Sequence, residues 1–174
     1  SHNLWLIDEK LAYADYIASD ISFDNDPKKN RPDIMMLNHP VAVSDEPNTG
    51  RVYETITIFE LKRPMRDDYT TAENPMTQML NYVSDLRTNK IKDKNGRPIL
   101  TSENTQFYLY AVCDLTPKLR ELAFDQDMID TPDKQGMYRY HKNRNAHIEI
   151  LSYDKILSDA QKRNKIFFDK LGLS

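Results

Sequence analysis

Apolar positions along this chain change period several times, and each change marks an element. Residues 3–19 read as a helix that Asn3 can cap, with Leu4, Ile7, Leu11, Ala14 and Ala18 on one face and Trp5, Glu9, Ala12 and Tyr16 on another. Residues 20–30 are a charged loop. Two strands follow, over 31–37 and 55–64, short apolar or β-branched runs closed by proline or turn residues. Between them, residues 38–50 are rich in turn formers and read as a hairpin connection. Asn74-Pro75 opens a helix, since Asn caps and Pro suits the first helical position. Its stripe is Met76, Met79, Leu80, Val83 and Leu86, with Gln78 and Tyr82 one turn apart on its flank, where neither is needed to fill the core. The run 106–113 is apolar on both faces and predicts a central strand. Thr116-Pro117 caps a short helix over 118–124, residues 126–135 read as a loop, and 137–141 with 146–152 form a hairpin around 142–145. A last helix spans 153–171, with Ile156, Leu157, Ala160, Ile166, Phe167 and Leu171 for packing, and stops at Gly172.

Strand alternation places candidate chemistry on this frame. Side chains two apart share a face, so Ile56, Ile58, Glu60 and Lys62 point one way and Thr57, Phe59 and Leu61 the other. An acid and a base therefore end a strand whose other residues are apolar, and charges there are costly unless they are paired or bind something. The hairpin brings Asp33 close to them. Two carboxylates suit a hard divalent cation such as Mg²⁺ or Mn²⁺, which takes oxygen ligands and keeps several waters. Such a cation polarises a phosphoryl oxygen and generates a hydroxide, and a lysine beside it orients the water or offsets charge on phosphorus. The plainer alternative is a surface salt bridge on an edge strand.

Pro32-Asp33 followed by Glu60-Leu61-Lys62 resembles the PD-(D/E)XK nuclease superfamily. Asp8-x-Lys10 and Asp26-x-Lys28 share the triplet, but neither ends an apolar strand. Gln78-Met79-Leu80-Asn81-Tyr82 resembles the Gln-x-x-x-Tyr motif of the RecB-like branch, again on the helix after the Glu-x-Lys strand. The resemblance covers roughly residues 4–113. It implies an α/β, restriction-endonuclease-like αβββαβ core, a mixed central sheet flanked by helices. It implies a metal held by Asp33, Glu60 and the Leu61 backbone carbonyl, with Lys62, Gln78 and Tyr82 completing the catalytic set. It also implies an acid from the first helix, Glu9, with Asp8 in reserve.

Composition narrows the picture. At 174 residues the chain fits one domain spanning 1–174. A net charge of −3 gives no global basic field, so nucleic acid would be met by local clusters: Arg63 and Arg66, the stretch with Lys90, Lys92, Lys94 and Arg97, or the basic tip at 142–145 flanked by Tyr138 and Tyr140. For each cluster a solvated loop is the plain alternative. Cys113, the single cysteine, sits in an apolar run and reads as a buried thiol. No run is long enough for a membrane helix and no signal peptide is visible, which places the expected setting in the cytoplasm. The four histidines lack zinc-ligand spacing, and neither a glycine-rich phosphate loop nor Gly-x-Ser-x-Gly occurs. The chain does not start with Met and is expected to be a domain of a larger protein. Its opening residues 3–9 and closing helix resemble nuclease-like domains behind GHKL-type ATPase modules of bacteria, which implies ATP-coupled cleavage in defence against foreign DNA. The expected function is Mg²⁺-dependent hydrolysis of DNA. RNA, exo or endo cleavage and a homodimer are left open. The alternative is a catalytically silent relative that binds nucleic acid or a protein.

Overall fold

The computed structural model describes residues 16–18, 31–38, 52–93 and 95–172. Their strands form one seven-stranded mixed sheet. In chain order they are β1 (Tyr16–Ala18), β2 (Ile34–Asn38), β3 (Thr55–Leu61), β4 (Gln106–Val112), β5 (Ile129–Asp130), β6 (Gly136–His141) and β7 (Ala146–Leu151), and in space β1-β2-β3-β4-β7-β6-β5. The helices are α1 (Pro75–Arg87), α2 (Pro117–Phe124) and α3 (Tyr153–Lys170). β2 and β3 are antiparallel, with Ile34 opposite Phe59 and Leu37 opposite Ile56, as the hairpin reading requires. β4 is the fourth strand of seven and runs parallel to both β3 and β7. The parallel β3–α1–β4 unit is a crossover, the connection parallel neighbours need.

One face of the sheet builds the main core. Ile56, Ile58, Phe107, Leu109, Ala111, Ile148 and Ile150 meet Met76, Met79, Tyr82, Val83 and Leu86 of α1 and Leu119, Leu122 and Ala123 of α2. The caps are those the sequence predicts: Asn74 accepts from the Thr77 N–H, and Thr116 from the Leu119 N–H. On the other face Phe59 stacks on Tyr110, with centroids 5.1 Å apart, and α3 closes a small cluster of Val112, Leu151 and Ile156.

Three expectations are corrected. The first helix cannot run to Ser19, because Tyr16–Ala18 is a strand on the edge of β2, with Tyr16 opposite Leu37; an aromatic and a β-branched residue suit that pairing. The rest of that helix, with Glu9 and Asp8, and the connection at 39–51 lie outside the described residues. The loop at 126–135 contains β5, whose Ile129 pairs with Tyr138. On α3, Ile156 and Ala160 are buried, but Leu157, Ile166 and Leu171 are exposed, so the helix packs through its first half.

The polar stretch after α1 is fastened rather than flap-like. Ile91 and Ile99 are buried and hydrogen-bonded to each other through the backbone, and Lys92 bridges Pro98. At the β6–β7 tip, Arg144 folds back to donate to the Leu80 carbonyl and the Ser84 hydroxyl of α1. That arginine is thereby a tie between hairpin and helix.

Candidate active site

The end of β3 is where the sheet's register gives out, and the cause is local. Continuing the β2–β3 register past Ile34–Phe59 sets Asp33 opposite Glu60 and Pro32 opposite Leu61. Proline has no N–H, so Pro32 cannot complete the ladder to the Leu61 carbonyl. The Leu61 N–H turns instead to the Asp33 side chain and donates to Oδ2 at 2.6 Å. The next residue is held from the other side, the Lys62 N–H donating to the Val112 carbonyl at 2.9 Å. The ladder thus opens at one rung, with a carboxylate and a carbonyl at the gap.

Glu60 lies inside this end of the sheet, only 4 % exposed. Lys62 Nζ donates to its Oε1 at 2.7 Å and to Gln78 Oε1 at 2.7 Å. Gln78 Nε2 donates to the same Glu60 oxygen at 2.8 Å and to the Tyr82 hydroxyl at 2.5 Å. Tyr82 in turn donates to the Arg31 carbonyl at 3.1 Å and approaches Glu60 Oε2 at 3.3 Å. Strand and helix are therefore joined through one side-chain network, in which the buried polar atoms satisfy one another. Burial pushes the Glu60 carboxyl above its ordinary value; Lys62 pulls it back, and the nearby Asp33 charge adds to the rise. Burial also raises the Tyr82 phenol, so it stays protonated and can donate.

Asp33, Glu60, Lys62, Gln78 and Tyr82 are brought together here, from two strands and a helix. Glu9 cannot be placed, since it lies outside the described residues. Tyr82 departs from expectation: it is fully buried and among the largest core side chains, so only its hydroxyl reaches the site. Arg63 is exposed, whereas Arg66 pairs with Asp68 at 2.6 Å and lies over the Tyr69 ring. Sequence reasoning missed the Arg31 carbonyl and Tyr153, whose hydroxyl donates to the Lys62 carbonyl across 91 positions of sequence. No local pattern carries a contact that distant.

Among the described residues there is no group of three or more His, Cys, Asp or Glu side chains placed to hold a metal ion. The donor set here is of another kind: two carboxylates, Asp33 and Glu60, and the Leu61 carbonyl that Pro32 leaves without a ladder partner. All are oxygens, which fits Mg²⁺ or Mn²⁺ with water completing the shell. Cys113 is buried beside the site, its thiol pushed up to about 12, and is not a ready ligand. No protein-family model, no curated protein and no solved structure matches this chain.

Proposed function

We propose that this chain is a metal-dependent nuclease of the PD-(D/E)XK kind, with a restriction-endonuclease-like core, hydrolysing phosphodiester bonds of DNA. The observation that carries the reading is the buried Glu60–Lys62 pair, tied to Gln78 and Tyr82 and faced by Asp33 at an opened rung of the sheet. A salt bridge that only held the fold together would need neither a second carboxylate nor the freed carbonyl beside it. The order of three antiparallel strands, α1 and a parallel fourth strand supports the same family.

Asp33, Glu60 and the Leu61 carbonyl would hold the cation, which supplies Lewis acidity to the phosphate and a lowered pKa to a bound water. Lys62 Nζ, held by Glu60 and Gln78, would orient the attacking water or offset the charge building on phosphorus. Gln78 fixes the direction of Nζ from the side. Tyr82 approaches Glu60 Oε2 while Lys62 and Gln78 hold Oε1, so the carboxylate is fixed at both oxygens.

One feature favours the second reading, a catalytically silent binding domain. Asp33 and Glu60 already have protein partners, so a cation must displace hydrogen bonds. A single experiment separates the two. Linear, circular and single-stranded DNA are incubated with Mg²⁺ or Mn²⁺, with EDTA beside them. Cleavage that EDTA stops, that Glu60→Gln abolishes and that Lys62→Ala removes without loss of Ca²⁺ binding is expected. Wild-type protein that cuts none of the three, or Glu60→Gln protein that cuts normally, overturns the nuclease assignment.

A further inference from the structure

Beside Lys62, between α1 and the loop at 63–73, lies a cleft of about 280 Å³ lined by Lys62, Arg66, Tyr69, Glu73, Gln78 and Asn81, among others. We propose that this cleft is a subsite for one unpaired nucleotide flanking the phosphate that is cut, so that the substrate is a single strand or a frayed end rather than intact duplex. The proposal deepens the nuclease reading and rests on it for the position of the cut.

Four observations carry it. The first is Tyr69, which lines the cleft and is only 4 % exposed, while its buried hydroxyl has no hydrogen-bond partner among the described residues. Buried hydroxyls in folded proteins are nearly always partnered, so this one stands out in the wall of the cleft. Burial pushes the phenol up to about 12, which keeps its proton in place. The second is Arg66. Its Nε is taken by Asp68 and its carbon lies 5.1 Å from the Tyr69 ring centroid, but among the described residues no partner takes its Nη groups. A guanidinium fixed by stacking and one ion pair is pre-organised for a phosphate.

The third is the charge distribution. Lys62 and Arg66 are cationic, Glu73 is anionic, and Asn81 is a neutral donor and acceptor. One phosphate is welcome near Lys62 and Arg66, and a second would meet the Glu73 carboxylate. The remainder of the cleft therefore suits an uncharged sugar or base. The fourth is size and rigidity. The volume is at or below the small end of ligand pockets, which begin at about 300 Å³. A paired base is locked in a stack whose major groove alone is about 12 Å wide, so it reaches such a cleft only by leaving the stack. The wall is preformed: the Met65 N–H donates to Asp114 Oδ2 at 2.6 Å, Thr116 donates to Asp67, and Tyr153 holds the Lys62 carbonyl.

The test measures binding in EDTA, where no cut can occur, by fluorescence anisotropy. The probes are a fluorescein-labelled ten-nucleotide oligothymidylate, its oligouridylate counterpart and a blunt DNA duplex of the same length. Wild type should bind a single strand more tightly than duplex, and the first two probes, which differ in the 2′-hydroxyl and in the thymine methyl, show whether the subsite separates DNA-type from RNA-type strands. Tyr69→Phe keeps the ring and removes only the unpartnered hydroxyl. It should weaken single-strand binding by roughly 3- to 10-fold, the scale of one hydrogen bond, with an unchanged melting temperature. Arg66→Ala should weaken it by about 10-fold or more. Duplex bound as tightly as single strand, or single-strand binding that neither variant changes, overturns the subsite. The two readings separate cleanly. Protein that binds single strands through Tyr69 and Arg66 but cuts nothing with Mg²⁺ loses the nuclease reading and keeps the subsite. Protein that cuts but is indifferent to both substitutions keeps the nuclease and loses the subsite.

Discussion

Burying a tyrosine completely obliges its hydroxyl to find partners, and Tyr82 finds them in Gln78, the Arg31 carbonyl and Glu60. Its ring belongs to the core and its oxygen to the site. Tyr82→Phe keeps the ring, removes the one proton that the Arg31 carbonyl and Glu60 Oε2 share, and takes an acceptor from Gln78 Nε2. The expected cost is about 1–3 kcal/mol, measured by urea unfolding, with cleavage reduced in the same preparation. Gln78→Ala should cut cleavage by roughly 10- to 1,000-fold. Because Gln78 bonds Lys62, Glu60 and Tyr82 at once, it should also lower the melting temperature, contrary to what a flank position predicts. Glu60 adds a pH dependence. Its folded-state pKa is raised, mainly by burial, above the ordinary value of 4.5. The protonated form is thus favoured by folding, a stabilisation fully present below 4.5 and lost as pH rises through the folded value. Melting temperatures of wild type minus Glu60→Gln in metal-free buffer should fall across that window, since only wild type carries the titration. A flat difference would mean that Glu60 is not perturbed. Asp33, Glu60 and Lys62 were legible in the sequence because a period of two and an antiparallel pairing fix neighbours without further information. The depth of Tyr82 was not, because spacing on a helix gives an angle and not the width of the groove it meets.

At the scale of elements, the sheet owes its open rung to Pro32 and its tight far side to Gly136. A Cβ at Gly136 would lie 2.8 Å from the Ile150 carbonyl of β7 and 3.2 Å from Thr131 Cγ2. Gly136→Ala must push β6 off β7, at a cost of roughly 1–3 kcal/mol as for other overpacked positions. Chemical denaturation checks the loss, and cleavage per folded molecule should be unchanged because β6 is three strands from β3. The long periodic elements were legible: α1 and α2 with their caps, β4 as the centre, and the β6–β7 hairpin. β5 was not, since its two residues are both exposed and show no alternation. At the N-terminus the helical pattern runs on too far because Ala18 and Tyr16 each continue one of its two faces; pairing with β2, a tertiary effect, decides the matter. On α3 the pattern overstated burial, because its later turns run beyond the small cluster around Val112 and Leu151.

Over the whole molecule, helices lie on both faces of the mixed sheet, α1 and α2 on one and α3 on the other, while the candidate chemistry sits at one end of β3. The central parallel pairs give this layout a consequence for how the chain folds. A hairpin such as β6–β7 can zip outward from its turn, but Thr55 reaches Gln106 only after the intervening chain has closed a large loop. That closing chain is α1, and the hydrogen bonds clasping α1 to β3 include those of Gln78 and Tyr82 to Glu60. The groups assigned to hydrolysis are thus also a latch on this long-range closure. A nascent chain that has made its first crossover has, by the same act, joined Glu60 and Lys62 to Gln78 and Tyr82.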